Sequence, residues 1–181
     1  NKTPKILVIG DLMIDHYLWG STERISPEAP VQVVNVETES ILLGGAGNVI
    51  NNLYALGSVV DVISVIGECE ASEQLKDLLS DINVDTQYLF TQKDRVTSKK
   101  SRIIASHQQV ARYDRESTDE IDKKLQIAII KVFKAIVKNY DVILLSDYGK
   151  GVLTFELTQS LITIANENNK KLLVDPKGLD Y

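Results

Sequence analysis

The sequence predicts an α/β protein built on a mostly parallel sheet, with a small β-sheet projecting from it as a lid. Three observations predict this. Short apolar runs at Lys5–Asp11, Asp61–Ile66, Asp141–Ser146 and Lys171–Asp175 have the length and composition of buried strands. Segments with helical spacing alternate with these runs, which is the pattern of a parallel sheet covered by helices. Short segments near 31–36 and 86–113 interrupt that alternation, and they supply the lid.

Lys5–Asp11 (KILVIGD) is an apolar run closed by Gly-Asp, a buried strand with a functional end. Val31–Val36 is rich in valine and follows two prolines, so it reads as an edge strand. Gly45–Leu56 reads as a helix with Val49, Leu53 and Leu56 on one face and Gly57 as its stop. A buried strand, Asp61–Ile66, follows, and then a helix over Ser72–Leu79. Thr86–Phe90, Lys99–Ala105 and Gln109–Tyr113 alternate apolar and polar residues and predict antiparallel strands. Ser117 with Glu120 spells a capping box, and Ile121, Leu125, Ala128, Val132 and Ile136 form a stripe at helical spacing. Strand Asp141–Ser146, helix Thr154–Asn166 and strand Lys171–Asp175 complete the series.

With 181 residues the chain amounts to one domain or a large part of one. Its net charge of −5 excludes the broad basic face that general nucleic-acid binding needs, so an anionic small substrate requires a local cation cluster. No apolar run is long enough to cross a membrane as a helix. Asn1-Lys2-Thr3-Pro4-Lys5 does not read as a secretory signal, and without an initiator Met part of the natural N-terminus is expected to be missing. The single cysteine, Cys69, rules out an intrachain disulfide and a thiolate metal cluster and fits a reducing cytoplasm. No base is signalled near it, so it reads as an ordinary small residue. His16 and His107 are too few and too far apart for a metal site, and none is expected.

The chemistry concentrates between residues 10 and 48. Gly10-Asp11-Leu12-Met13-Ile14-Asp15, Arg24-Ile25-Ser26-Pro27-Glu28-Ala29-Pro30 and Gly44-Gly45-Ala46-Gly47-Asn48 combine two carboxylates, a stiff loop and a glycine pair before an amide. Carboxylate and amide oxygens accept hydrogen bonds from neighbouring hydroxyls, and glycine allows close backbone approach, so the set suits a sugar. Asp11 and Asp15 follow a strand's carboxyl end, where open α/β sheets bind ligands, although both could simply cap turns. Gly45-Ala46-Gly47 also opens a dinucleotide fingerprint, but Ile50 fills the third glycine position and the motif does not follow the first strand. Lys100 and Arg102 lie two apart and share a strand face, with Arg112 in the next segment. They suit a ligand phosphate, or they guard an edge strand against aggregation. Asp147 ends a buried strand, where it holds a ligand, caps a helix or pairs with Lys150. Tyr17 and Trp19, beside Asp15, pack against a sugar face or bury under the lid, the second being the expectation.

These pieces, with Gln108-Gln109…Arg112…Asp114, Ser146-Asp147-Tyr148-Gly149-Lys150-Gly151 and Asp175-Pro176-Lys177-Gly178, resemble the ribokinase-type (PfkB) sugar kinases. Within that family the resemblance is closest to the D-glycero-β-D-manno-heptose 7-phosphate kinase domains. It implies a ribokinase-like doubly wound sheet with lid segments at about 12–40 and 86–114. It implies ATP with Mg²⁺, phosphorylation at C1 within ADP-heptose synthesis for the lipopolysaccharide core, and in some members a fused adenylyltransferase. The alternatives are another PfkB-type sugar kinase, or a truncated sugar-phosphate-binding fragment without catalysis. The implied substrate-binding residues are Asp11, Asp15, Gly44, Gly45, Asn48, Lys100, Arg102, Arg112 and Asp147, with Asp15 on sugar hydroxyls and Lys177 toward nucleotide phosphates. The family's Gly-Ala-Gly-Asp segment, whose aspartate activates the sugar hydroxyl, has no counterpart among these residues. The catalytic base and most of the nucleotide pocket are therefore expected after Tyr181, and the chain is expected to be the N-terminal part of one kinase domain. The apolar Val31, Val33 and Val36 of the lid lead to the expectation of a homodimer joined through lids.

Overall fold

A computed structural model describes residues 3–178. Five strands form a parallel sheet: β1 (Lys5–Gly10), β4 (Val59–Ile66), β5 (Leu89–Thr91), β8 (Val142–Ser146) and β9 (Lys171–Asp175). Their order is β5-β4-β1-β8-β9. The alternation within β1 decides which helices cover which face. Leu7 and Ile9 pack on one side with Ile129 and Phe133 of α3 (Lys123–Ile136) and Leu157 and Leu161 of α4 (Phe155–Glu167). Ile6 and Val8 pack on the other with Ile50 of α1 (Ala46–Ala55) and Leu75 and Leu79 of α2 (Glu70–Asp81). The sheet is doubly wound, as the sequence predicts.

The lid is a second sheet of order β3-β2-β6-β7, formed by β2 (Leu12–Ile25), β3 (Gln32–Gly45), β6 (Ser98–Ala105) and β7 (Gln108–Arg115). It differs from expectation in three ways. Residues 12–25 are a 14-residue strand, where the sequence reading places part of the lid but no strand; the stiff loop expected at 24–30 is confined to 26–31. Strand β6 runs parallel to β2, with only β2–β3 and β6–β7 antiparallel. Leu89–Thr91 joins the main sheet in parallel with β4, outside the lid.

Helix α3 also departs from its reading. Its N-cap residue is Asp122, and the Ser117 hydroxyl instead accepts a hydrogen bond from the Val96 N–H at 2.9 Å. The capping box fails because 117–121 is already engaged: the Ile121 N–H donates to the Gly151 carbonyl, and Arg95 donates to the Asp119 carbonyl. The buried line of the helix is Gln126, Ile129 and Phe133, continued by Val137, and Leu125, Val132 and Ile136 of the predicted stripe pack against the same core beside it. Helix α4 starts as read, its Thr154 hydroxyl accepting from the Leu157 N–H at 3.2 Å.

Candidate functional site

The chain leaves β1 toward β4 and β5 on one side and later returns to place β8 and β9 on the other. The β1/β8 boundary is thus a topological switch point, where two loops diverge and leave a crevice. Asp11 sits in it with 1 % exposure. Its carboxylate accepts from the Tyr148 N–H at 2.8 Å, the Lys150 N–H at 3.0 Å and the Val152 N–H at 3.1 Å. Burial pushes the Asp11 carboxyl up against the lowering effect of these three donors. The expected direct ligand contact is not what this geometry favours: both oxygens are committed to shaping the loop 148–152.

Arg95, which sequence reasoning missed, closes that loop from behind. It is 7 % exposed and donates to the Asp119 carbonyl at 3.0 Å and to the Lys150 carbonyl. Burial lowers its pKa, opposed by the charges of Asp11 and Asp119. Nothing local marks Arg95, because its partners lie 24 and 55 residues away.

The lid carries the charged part of the site on one face. Cross-strand register places Asp15, Lys100 and Asp114 in one row and Tyr17, Arg102 and Arg112 in the next. Arg102 donates to Asp15 Oδ1 at 2.6 Å and lies 5.2 Å over the Tyr17 ring. Arg112 holds Asp114 through two bonds, 2.9 and 2.5 Å, keeping that carboxyl far below its usual range, with Lys100 adding to the effect. Lys100 lies 3.4 Å from Asp114 and 3.5 Å from Glu116. Glu116 also accepts from Lys150 Nζ at 2.8 Å, joining the lid to the loop that Asp11 shapes. Burial raises the Glu116 pKa, but the Lys150 bond and the Lys100 charge outweigh it and the net shift is downward. Sequence reasoning misses Glu116 as well; its position two residues beyond Asp114 is the one available hint.

The glycine pair serves this arrangement. A Cβ on Gly44 would stand 2.5 Å from Asp15 Oδ2, so the carboxylate lies directly against it. Gly45 adopts φ +56°, a conformation glycine favours, as the strand turns into α1. Asn48, by contrast, is exposed in the first turn of α1 and lines a groove with Leu42, Leu43, Leu78 and Asp81. That groove is lined by neither Asp15 nor the cations, although Leu42 on its wall is the cross-strand neighbour of Asp15. Asp147 accepts from the Gly149 N–H at 2.8 Å and shapes a turn. The cap of α4 is Thr154, and Lys150 pairs with Glu116. Lys177 is exposed beside this turn, its Cγ 3.3 Å from where a Gly149 Cβ would stand. Tyr17 and Trp19 stack with centroids 6.0 Å apart, and Trp19 is 44 % exposed. The expectation of burial fails for Trp19, while Tyr17 is half-buried beneath Arg102 on the same charged face.

Among the described residues no group of three acidic, His or Cys side chains is placed to hold a metal ion. No helix of the described residues is long and apolar enough to cross a membrane.

A doubly wound sheet with a β-lid and a polar crevice at the switch point defines a class of small-molecule-binding α/β proteins. Residues 3–180 match the pfkB family carbohydrate kinase model, and the chain belongs to that family. It is 62 % identical over its whole length to "Bifunctional protein HldE" of Aliarcobacter butzleri and 55 % identical over 99 % of its length to the protein of that name from Sulfurimonas denitrificans. In both cases it spans 38 % of the relative's length. Among solved structures, a carbohydrate kinase from Agrobacterium tumefaciens superposes with TM-score 0.70 at 24 % identity, covering 95 % of this chain and 53 % of that one. Ribokinase of Arabidopsis thaliana, complexed with ribose and ATP, gives 0.67 at 15 % identity, covering 99 % and 55 %. These likenesses carry the fold.

Proposed function

We propose that this chain supplies the sugar-phosphate side of a kinase that transfers phosphate from ATP to C1 of D-glycero-β-D-manno-heptose 7-phosphate. The product, a 1,7-bisphosphate, serves ADP-heptose and lipopolysaccharide-core synthesis. The observation that carries the reading is the Asp15–Arg102 pair: a carboxylate fixed against Gly44 at the root of the lid, placed to accept sugar hydroxyls beside a row of cations. Relatives of the same name at high identity favour this sugar over others.

In this reading Asp15 orients the sugar, Lys100, Arg102 and Arg112 take its phosphate, and Asp11 and Arg95 hold the loop under it. Asp147 and Lys177 lie toward the nucleotide. The base and most of the ATP and Mg²⁺ ligands belong to the length of the relatives that this chain does not match, and the bifunctional relatives suggest a fused adenylyltransferase there. The exposed Ile25, Val31 and Val36 support a homodimer through the lid, working in the cytoplasm. The test is the intact protein with ATP, Mg²⁺ and heptose 7-phosphate. Formation of the 1,7-bisphosphate is expected, and equal turnover of ribose or fructose 6-phosphate would refute the substrate. Sedimentation of the intact protein as a monomer at micromolar concentration would refute the dimer.

A further inference from the structure

Arg102 and Arg112 stand directly opposite each other on adjacent antiparallel strands. Like charges in that position destabilise a sheet unless an anion lies between them. Here each arginine is drawn instead to a carboxylate of the neighbouring row, Arg102 to Asp15 at 2.6 Å and Arg112 to Asp114 at 2.5 and 2.9 Å. Lys100, between Asp15 and Asp114 in that row, is itself shared between Asp114 and Glu116.

The two carboxylates differ in their freedom to leave. Asp15 is wedged against Gly44 and its oxygen lies on Arg102. Asp114 is held by the half-exposed Arg112 and, more loosely, by Lys100 at 3.4 Å. We infer that Asp114 is a specificity-determining residue that occupies the cation row as an internal substitute for phosphate, and that the phosphate of the substrate binds by displacing it from Arg112 and Lys100. This rests on the sugar-phosphate reading of the same face. A dianion with three acceptor oxygens can bridge both arginines and Lys100, which a single carboxylate on β7 cannot do. Asp114 therefore filters ligands: a neutral sugar or a weak monoanion gains too little to replace it, and a phosphomonoester gains enough.

The experiment uses the intact protein and inorganic phosphate as the probe, read as competitive inhibition against the sugar phosphate and by calorimetry. Asp114→Asn removes the competing charge and keeps the shape. It is expected to tighten phosphate binding about tenfold and to steepen its salt dependence. Arg112→Gln is expected to weaken phosphate binding about tenfold or more. If the asparagine variant does not fold, Asp114→Ser gives the same reading. Phosphate binding unchanged or weaker in a folded Asp114 variant overturns the inference. If the wild-type protein turns over heptose 7-phosphate while that result is found, only the displacement role falls. If it turns over no sugar phosphate at all, the underlying reading falls with it.

Discussion

Gly44→Ala displaces Asp15 without replacing it. Gly44 does not have a positive φ, so alanine brings no backbone strain, and its effect comes from one added methyl group. That carbon would lie 2.5 Å from Asp15 Oδ2, 2.9 Å from its Cγ and 3.0 Å from the flexible Met13 side chain at Cγ, against an ordinary contact of about 3.4 Å or more. The carboxylate must retreat by about 0.9 Å, breaking its 2.6 Å bond to Arg102 or tilting away from the sugar. A displacement of about 1 Å in a positioning group costs roughly 100-fold, or about 2.7 kcal/mol of transition-state stabilisation. The assay is kcat/KM of the intact protein for heptose 7-phosphate, with thermal melting to show that the fold survives. Because the effect runs through Asp15, Gly44→Ala should cost far less in an Asp15→Ala background. A kcat/KM within threefold of wild type, or an equal loss in both backgrounds, would refute the reasoning.

Three further perturbations test the scaffold. Asp11→Ala strands the N–H groups of Tyr148, Lys150 and Val152; at about 1–3 kcal/mol for each buried orphan the loss should reach about 3 kcal/mol in urea unfolding, with activity falling as the loop loosens. Gly151→Ala forces a side chain into φ +82° and puts its Cβ 2.1 Å from the Asp119 carbonyl, so a loss of about 1–3 kcal/mol, read as a lowered Tm, is expected. Tyr140→Phe removes a 2.7 Å bond to Asp61 and should cost about 1.5–3 kcal/mol at neutral pH. Burial first, and then Asp61, raise the Tyr140 pKa in the fold. Its contribution is therefore complete below the unfolded value near pH ~10 and is lost as pH rises toward the folded one, so the gap between wild type and variant should narrow by about 1.4 kcal/mol per unit above pH ~10. A constant gap across pH 8 to 11.5 would show that the hydroxyl is not held as described.

What could be read from the sequence followed from how many faces each segment buries. Strands β1, β4 and β8 bury both faces, so their apolar runs identify them without knowledge of their partners. Strand β2 serves two environments at once. Asp15, Tyr17 and Trp19 face the charged side, while Ile14 is buried and His16 bonds Ser101 and Glu39 on the other. That mixture hides the alternation of a strand, and the partner that stabilises it, β6, lies more than 70 residues further on. The same distinction governs the site. Lys100 and Arg102 were legible because period two fixes their shared face, and Arg112 because it lies on the adjoining hairpin strand. Arg95, Glu116 and the hydrogen bonding of Asp11 depend on contacts with 148–152, which nothing in their own neighbourhoods encodes. A buried charge reveals its job only through the partner that satisfies it. In this fold the partner of each such charge comes from another segment, so the shared face of the lid cations could be anticipated while the charges that hold the frame could not.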